Sequence, residues 1–192
     1  MSSNEDKKNE TMTCLSGAFF VPKTHGRIIF RGLIDTLEAE VVEAQVLALE
    51  LGEKGICGSL EEILDYLRAL MAAEVKETPL APPYLFGMDA EEIHRRSHGA
   101  FVSGEDGKAV LPSYAQGPMA ARLNTLRAKV REVELTAVRV FGSHSDYGPH
   151  GDPWPHGERE DITLALNRLS SALWWLFCEC VNKRYLAPGN AK

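Results

Sequence analysis

Apolar residues between Arg27 and Leu51 recur at steps of three and four: Phe30, Leu33, Ile34, Leu37, Val41, Ala44, Ala48 and Leu51. That period is the signature of a helix burying one face. It returns over about Leu60–Val75, Met119–Phe141 and Arg159–Tyr185, and Asp89–Ser97 reads as a further short helix. No segment shows strand alternation and no internal repeat is present. The pattern therefore predicts an all-α helical bundle. On the first helix Val42, Val46 and Leu49 make a second apolar stripe, as expected of a helix that packs in its own bundle and also against another subunit.

The punctuation agrees with this reading. Gly52 stands where a helix C-terminal glycine belongs, and Ser59 with Glu62 reads as a capping box opening the second helix. Pro79, Pro82 and Pro83 stop that helix. Two Gly/Pro-rich stretches, 77–118 and 142–157, are long enough to be functional loops. TCLSGAFFVPKTHG, from Thr13, reads as irregular because Gly17, Pro22 and Gly26 interrupt it. The expected organisation is a polar tail over 1–11, one domain over 12–187 and a short tail over 188–192.

A net charge of −6 excludes a nucleic-acid binder that works by bulk electrostatics. The first residues lack an apolar signal core, so a cytoplasmic location is expected. Cys14, Cys57, Cys178 and Cys180 have no disulfide-framework spacing, and the last two read as core thiols.

Chemistry-bearing residues concentrate on the third long helix. Arg127, Arg131 and Glu134 fall at i, i+4 and i+7, one turn beyond Asn124 on the same face. Two guanidiniums so spaced suit a polyphosphate, and the carboxylate one turn on can orient the second of them, Arg131. The competing reading is a solvated charged face, since Arg122, Lys129 and Arg139 lie nearby. On the last helix Asn167 and Ser171 share a face beside the core, as either helix-to-helix bonding groups or ligand contacts. Trp174 and Trp175 read as core and interface, or as a cap on a flat ligand. Lys23, with Thr24, His25 and Arg27, precedes the first helix and could hold an anion. His94 and His98 are four apart, and His144, His150 and His156 recur every six residues. Neither set has a carboxylate or thiolate at a decisive spacing, so no metal site is expected from them.

The segments KTHGRIIFRGLIDTLEAEVVEAQ, EIHRRSH, ARLNTLRAKVREVELTAVRVF and ITLALNRLSSALWW, in that order, resemble the cobalamin adenosyltransferase superfamily. The ethanolamine-utilization corrinoid adenosyltransferase branch is the nearest type. The resemblance covers about residues 11 to 182. It implies a five-helix bundle assembling as a homotrimer with sites between subunits. It also implies transfer of the 5′-deoxyadenosyl group of ATP to Co(I) of cobalamin, with Mg²⁺ and release of triphosphate. By position, Arg127, Arg131 and Glu134 match the family's ATP-binding and catalytic residues, and Asn167 matches the asparagine near nucleotide and corrin. Lys23 matches a phosphate-binding lysine, and Thr13 the threonine that opens the nucleotide loop. Asp35 matches an aspartate pairing with the first arginine across the interface.

This chain departs from the propanediol type in having TCLSGAFF for the glycine-rich loop and Ser171 for an aspartate; the ethanolamine type shares both differences. That branch often carries an earlier His- and Cys-cluster metal motif, which the present residues do not include, so no such metal is expected from them. Phe86, Phe101 and Trp154 are loop aromatics considered as the group that displaces the lower axial cobalt ligand. Expected partners are ATP, the corrinoid, other copies of the chain, a cobalamin reductase and an adenosylcobalamin-dependent lyase, with a bacterial metabolic compartment as an alternative setting. Two competing functions remain at this level. One is an adenosylcobalamin carrier or sensor on the same fold. The other is a structural bundle whose arginine face is merely wet.

Overall fold

The computed structural model describes residues 10–17, 19–102, 109, 111–142 and 159–185. Five α-helices dominate: α1 Gly26–Glu50, α2 Lys54–Lys76, α3 Ala90–Gly99, α4 Pro118–Phe141 and α5 Glu160–Tyr185. The periodic segments become helices within a few residues of the expected bounds. Phe30, Ile34, Leu37, Val41, Ala44 and Ala48 of α1 are buried, as are Leu123, Leu126, Val130, Val133 and Ala137 of α4. They join Leu60, Ile63, Leu67 and Leu70 of α2, and Leu166, Leu169 and Leu173 of α5, in one core. Each Val, Leu, Ile or Phe side chain so removed from water contributes about 1.5–3 kcal/mol.

The all-α expectation needs one correction. Residues read as irregular form an antiparallel hairpin, β1 Met12–Ser16 and β2 Phe19–Pro22, with Thr13 opposite Val21 and Cys14 opposite Phe20. Gly17, at φ +54, lies in the turn, and Pro22 ends the second strand. These residues punctuate a short hairpin and do not forbid one. Leu15 and Val21 are buried while Phe19 and Phe20 face outward, so the alternation is too short to stand out in a periodicity search.

A second correction concerns α2, which starts at Lys54, before Ser59. The Ser59 hydroxyl donates to the Gly55 carbonyl one turn back at 3.2 Å and caps nothing. Ile56, buried in the core, recruits the preceding turn despite Gly55 and Gly58. By contrast Asp89 does cap α3, its carboxylate accepting from the Glu92 amide at 2.8 Å. Gly52, at φ +73, follows Leu51, the C-terminal cap of α1, in the left-handed conformation expected there.

One buried ionic cluster ties three elements together. Glu74 of α2 is fully buried and accepts from Arg27 and from Arg31 of α1. Arg27 also reaches the Glu74 carbonyl at 2.7 Å, and Arg31 reaches the Leu15 carbonyl of β1 at 2.9 Å. Burial lowers the Arg27 pKa from its usual value, and Glu74 opposes that shift. A carboxylate serving two guanidiniums cannot be removed without stranding buried charge. Glu74→Ala is therefore expected to lower the unfolding free energy by about 3–5 kcal/mol in urea denaturation. A loss below about 1 kcal/mol would show the cluster to be solvated.

Asp161, at the start of α5, holds the 77–89 loop against the bundle. It accepts from the Leu80 amide at 2.8 Å and pairs with Arg159, which also reaches the Thr78 carbonyl at 3.0 Å. Burial alone would raise the Asp161 pKa, but bonds from Arg159 and the Leu80 amide outweigh it and hold the carboxyl below the usual range. Its contribution is complete above the unfolded value of about 4 and is lost as pH falls through the lower folded value. Asp161→Asn should thus be less stable than wild type at neutral pH, with the gap closing below about pH 4 in thermal melts. A gap independent of pH would contradict this.

Candidate functional site

The site grows from the α4–α5 pairing. Leu123, Leu126, Val130 and Val133 bury one face of α4, which turns Arg127, Arg131 and Glu134 to its edge. On α5, Leu166, Leu169 and Leu173 do the same and leave Asn167, Ser171 and Trp174 beside that edge. The result is an open pocket of about 410 Å³. Arg127 and Arg131 form one wall, Ser170, Ser171 and Trp174 a second, and Ser97, His98, Leu111 and Pro112 close it.

Arg127 is half-buried. Its Nε donates to Asn124 Oδ1 at 3.1 Å, and its guanidinium lies 5.6 Å from the centre of the Trp174 ring. Burial lowers its pKa from the usual arginine value, and the neighbouring Arg131 charge lowers it further. Arg131 is exposed. Neither guanidinium pairs with a carboxylate among the described residues, whereas Arg122 pairs with Glu43 of α1 and Lys129 with Glu132. Arg122 and Lys129 are thus tied to carboxylates, while Arg127 and the exposed Arg131 are not among the described residues. Two unneutralised guanidiniums beside serine hydroxyls suit an anion with several oxygens.

Glu134 does not line the pocket. It accepts from Asn167 Nδ2 at 2.9 Å, and Asn167 Oδ1 accepts from Arg168 at 2.7 Å, giving a polar chain across α4 and α5. The Glu134 carboxylate thus serves Asn167, not Arg131 as the spacing suggested. Lys23, Thr13 and Asp35 are absent from the pocket lining in a single chain. Lys23 is exposed after β2, Thr13 is half-buried on β1 and Asp35 is exposed on α1. At the start of α1, Arg27 is committed to Glu74 and His25 Nδ1 accepts from the Arg27 amide at 3.3 Å.

The pattern of arginines gave no hint of Ser97, Leu111 or Pro112. Ser97 reaches the pocket because α3 packs on α5, a tertiary fact that helical spacing does not carry. His98 is a pocket residue, and its ring lies 4.3 Å from that of His94. Among the described residues no group of three or more His, Cys, Asp or Glu side chains could hold a metal ion. The 142–157 histidines and Trp154 lie outside the described residues apart from Gly142. Phe86 stacks on Trp175 at 5.7 Å, and Phe101 is exposed.

Cys178 and Cys180 are buried, as expected. Burial pushes the Cys178 thiol up to about 12, with Glu179 adding to the shift and Arg127 opposing it. Cys178 is therefore expected to resist alkylation at pH 8 in the native protein and to react only on unfolding, as read by mass spectrometry. Native-state labelling of Cys178 at the rate of a free thiol would contradict its placement.

A helical bundle with a cationic pocket along the α4–α5 edge is the class that fold and site define. The cobalamin adenosyltransferase family model matches residues 5–180, and the chain belongs to that family. It is 33% identical over 180 residues to the corrinoid adenosyltransferase EutT of Escherichia coli strain K12, covering 94% of this chain and 62% of that protein. EutT of Salmonella typhimurium strain LT2 shows the same identity and coverage. The chain thus spans somewhat under two thirds of the length of these relatives. No helix among the described residues is long and apolar enough to cross a membrane.

Proposed function

We propose that this chain is an ATP:cob(I)alamin adenosyltransferase. The observation that carries the reading is the convergence of Arg127 and Arg131, both without a carboxylate partner among the described residues, on one pocket beside Ser170 and Ser171. Family membership and the corrinoid adenosyltransferase names of the relatives support it.

The chemistry asks little acid–base work of the protein. Co(I) attacks C5′ of ATP; the Co–C bond forms as the C5′–O bond breaks, and triphosphate leaves with the bonding pair. The protein's tasks are to hold C5′ in line with cobalt and to stabilise charge on the leaving group. Arg127 and Arg131 perform the second, while Glu134 fixes Asn167 near the nucleotide. Among the described residues of a single chain the pocket lining contains no carboxylate to hold a resident Mg²⁺. Mg²⁺ is read instead as part of the substrate, carried on the phosphate oxygens of ATP.

Assembly as a homotrimer completes the site. Asp35 lies on the same exposed face of α1 as Val42, Val46 and Leu49, and all four are open to solvent in the single chain. Burying that stripe against a second subunit would carry Asp35 to a neighbour's Arg127, and Lys23 and Thr13 to its pocket. The setting of the reaction is the cytoplasm or a bacterial metabolic compartment, with a reductase supplying Co(I) and an adenosylcobalamin-dependent lyase using the product.

ATP should raise the thermal midpoint of wild type, because a ligand of the native state stabilises it. Arg131→Ala should lose most of that protection and transfer adenosyl groups roughly 100-fold or more slowly, with its trimer mass unchanged. Normal turnover by Arg131→Ala would reduce the arginine face to surface.

A further inference from the structure

Phe86 holds a backbone conformation that its side chain disfavours. It sits at φ +57 and Gly87 at φ +74, in a tight turn closed by reciprocal backbone bonds between Leu85 and Met88, both at 2.9 Å. Two successive left-handed residues make the mirror-image turn usual for Asn-Gly, and a bulky residue there bears strain that glycine or asparagine escapes. Such strain persists only where the surroundings over-determine it. Two contacts do so: the Phe86 amide donates to Glu62 of α2 at 2.7 Å, and its ring stacks on Trp175 of α5 at 5.7 Å with the planes 26° apart.

The turn leads directly into Asp89, the cap of α3. Only Ile93 and Ser97 are buried among the ten residues of that helix, so it has little apolar surface with which to fix its own place. It is tied to α5 at both ends instead. Trp175 holds Phe86 before the helix; after it, Trp174 Nε1 donates to the Ala100 carbonyl at 3.2 Å and Asn182 to the Phe101 carbonyl at 3.0 Å. The last turn of the helix so clamped carries Ser97 and His98 into the pocket. Ser97 donates its hydroxyl proton to the His94 carbonyl at 2.9 Å, so the N–H donor that α3 offers the pocket is the imidazole of His98. The His94 ring stands edge-on to it at 4.3 Å.

We infer that His98 is a phosphate-contacting residue of this pocket and that Phe86, through its stack on Trp175, is the positioning residue that sets α3 so that His98 reaches its place. The inference rests on the reading of the pocket as a triphosphate site. Released at its start, α3 is free to tilt and roll about its ties at Ala100 and Phe101, and the direction of His98 turns with it.

The test combines calorimetric binding of inorganic triphosphate, and separately of ATP, with hydrogen exchange of the α3 amides, all on the full chain. Phe86→Gly and Phe86→Asn suit the turn but remove the ring, Phe86→Tyr keeps the ring, and His98→Ala removes the inferred contact. Phe86→Gly should speed exchange across α3 roughly tenfold and weaken triphosphate binding roughly three- to tenfold, while Phe86→Tyr keeps wild-type values for both. His98→Ala should weaken binding by at least as much. In its background Phe86→Gly should change affinity by less than about twofold, because the contact it misplaces is already gone. Equal losses with and without His98 would make Phe86 a packing residue only and overturn the inference. So would unchanged α3 exchange in Phe86→Gly, or wild-type affinity in either single variant; the triphosphate reading then stands without it. If wild type itself binds neither probe, the triphosphate reading falls and this inference with it. Should Phe86→Gly not fold, Phe86→Asn decides by the same comparison with and without His98.

Discussion

Two long helices packed edge to edge determine where every candidate binding group can point. Because Leu123, Leu126, Val130 and Val133 must face the core, residues one position further round α4 fall on its edge, and α5 obeys the same geometry. Arg127, Arg131, Ser171 and Trp174 are neighbours for that reason. A one-residue shift of either apolar stripe would rotate the pocket groups by about 100° and scatter them. The binding edge is a by-product of the core, held as rigidly as the core is packed.

Arginine meets two different fates in this chain, and the carboxylates decide which. At the α1–α2 contact, Glu74 lies between Arg27 and Arg31, so both are neutralised and serve structure. On α4 the equivalent partner is missing among the described residues, and an indole stands under one guanidinium instead. In the single chain, positive charge left unneutralised on α4 makes a local field for an anion that the net charge of −6 conceals. The Glu74 cluster also fastens β1, through the Leu15 carbonyl, to the helix that carries Asp35. Hairpin and α1 are therefore presented to any neighbouring subunit as one unit.

The bundle was legible in the sequence because long amphipathic periods survive without tertiary information: Phe30 to Ala48 repeats often enough to admit one reading. The hairpin was not, since nine or so residues give only two buried positions, Leu15 and Val21, and its glycine and proline look like disorder until the pairing is seen. Arg127 and Arg131 were legible from their spacing, but their lack of a carboxylate partner among the described residues of one chain was not, because it depends on where Glu43, Glu74 and Glu132 point. Ser97 and His98 come from a helix remote in the chain, so no local pattern could place them. Glu134 illustrates the converse: its spacing suggested a partner for Arg131, and cross-helix packing gave it Asn167.

The central claim is that this arrangement transfers an adenosyl group. Purified protein, ATP, Mg²⁺ and chemically reduced cob(I)alamin, mixed under anaerobic conditions, test it most directly. The absorbance of the corrin and the triphosphate released are followed together. The account predicts adenosylcobalamin and triphosphate in equal amounts. Corrin bound without product would identify a carrier or sensor, and neither binding nor product would leave the chain with the fold of the family but without its reaction.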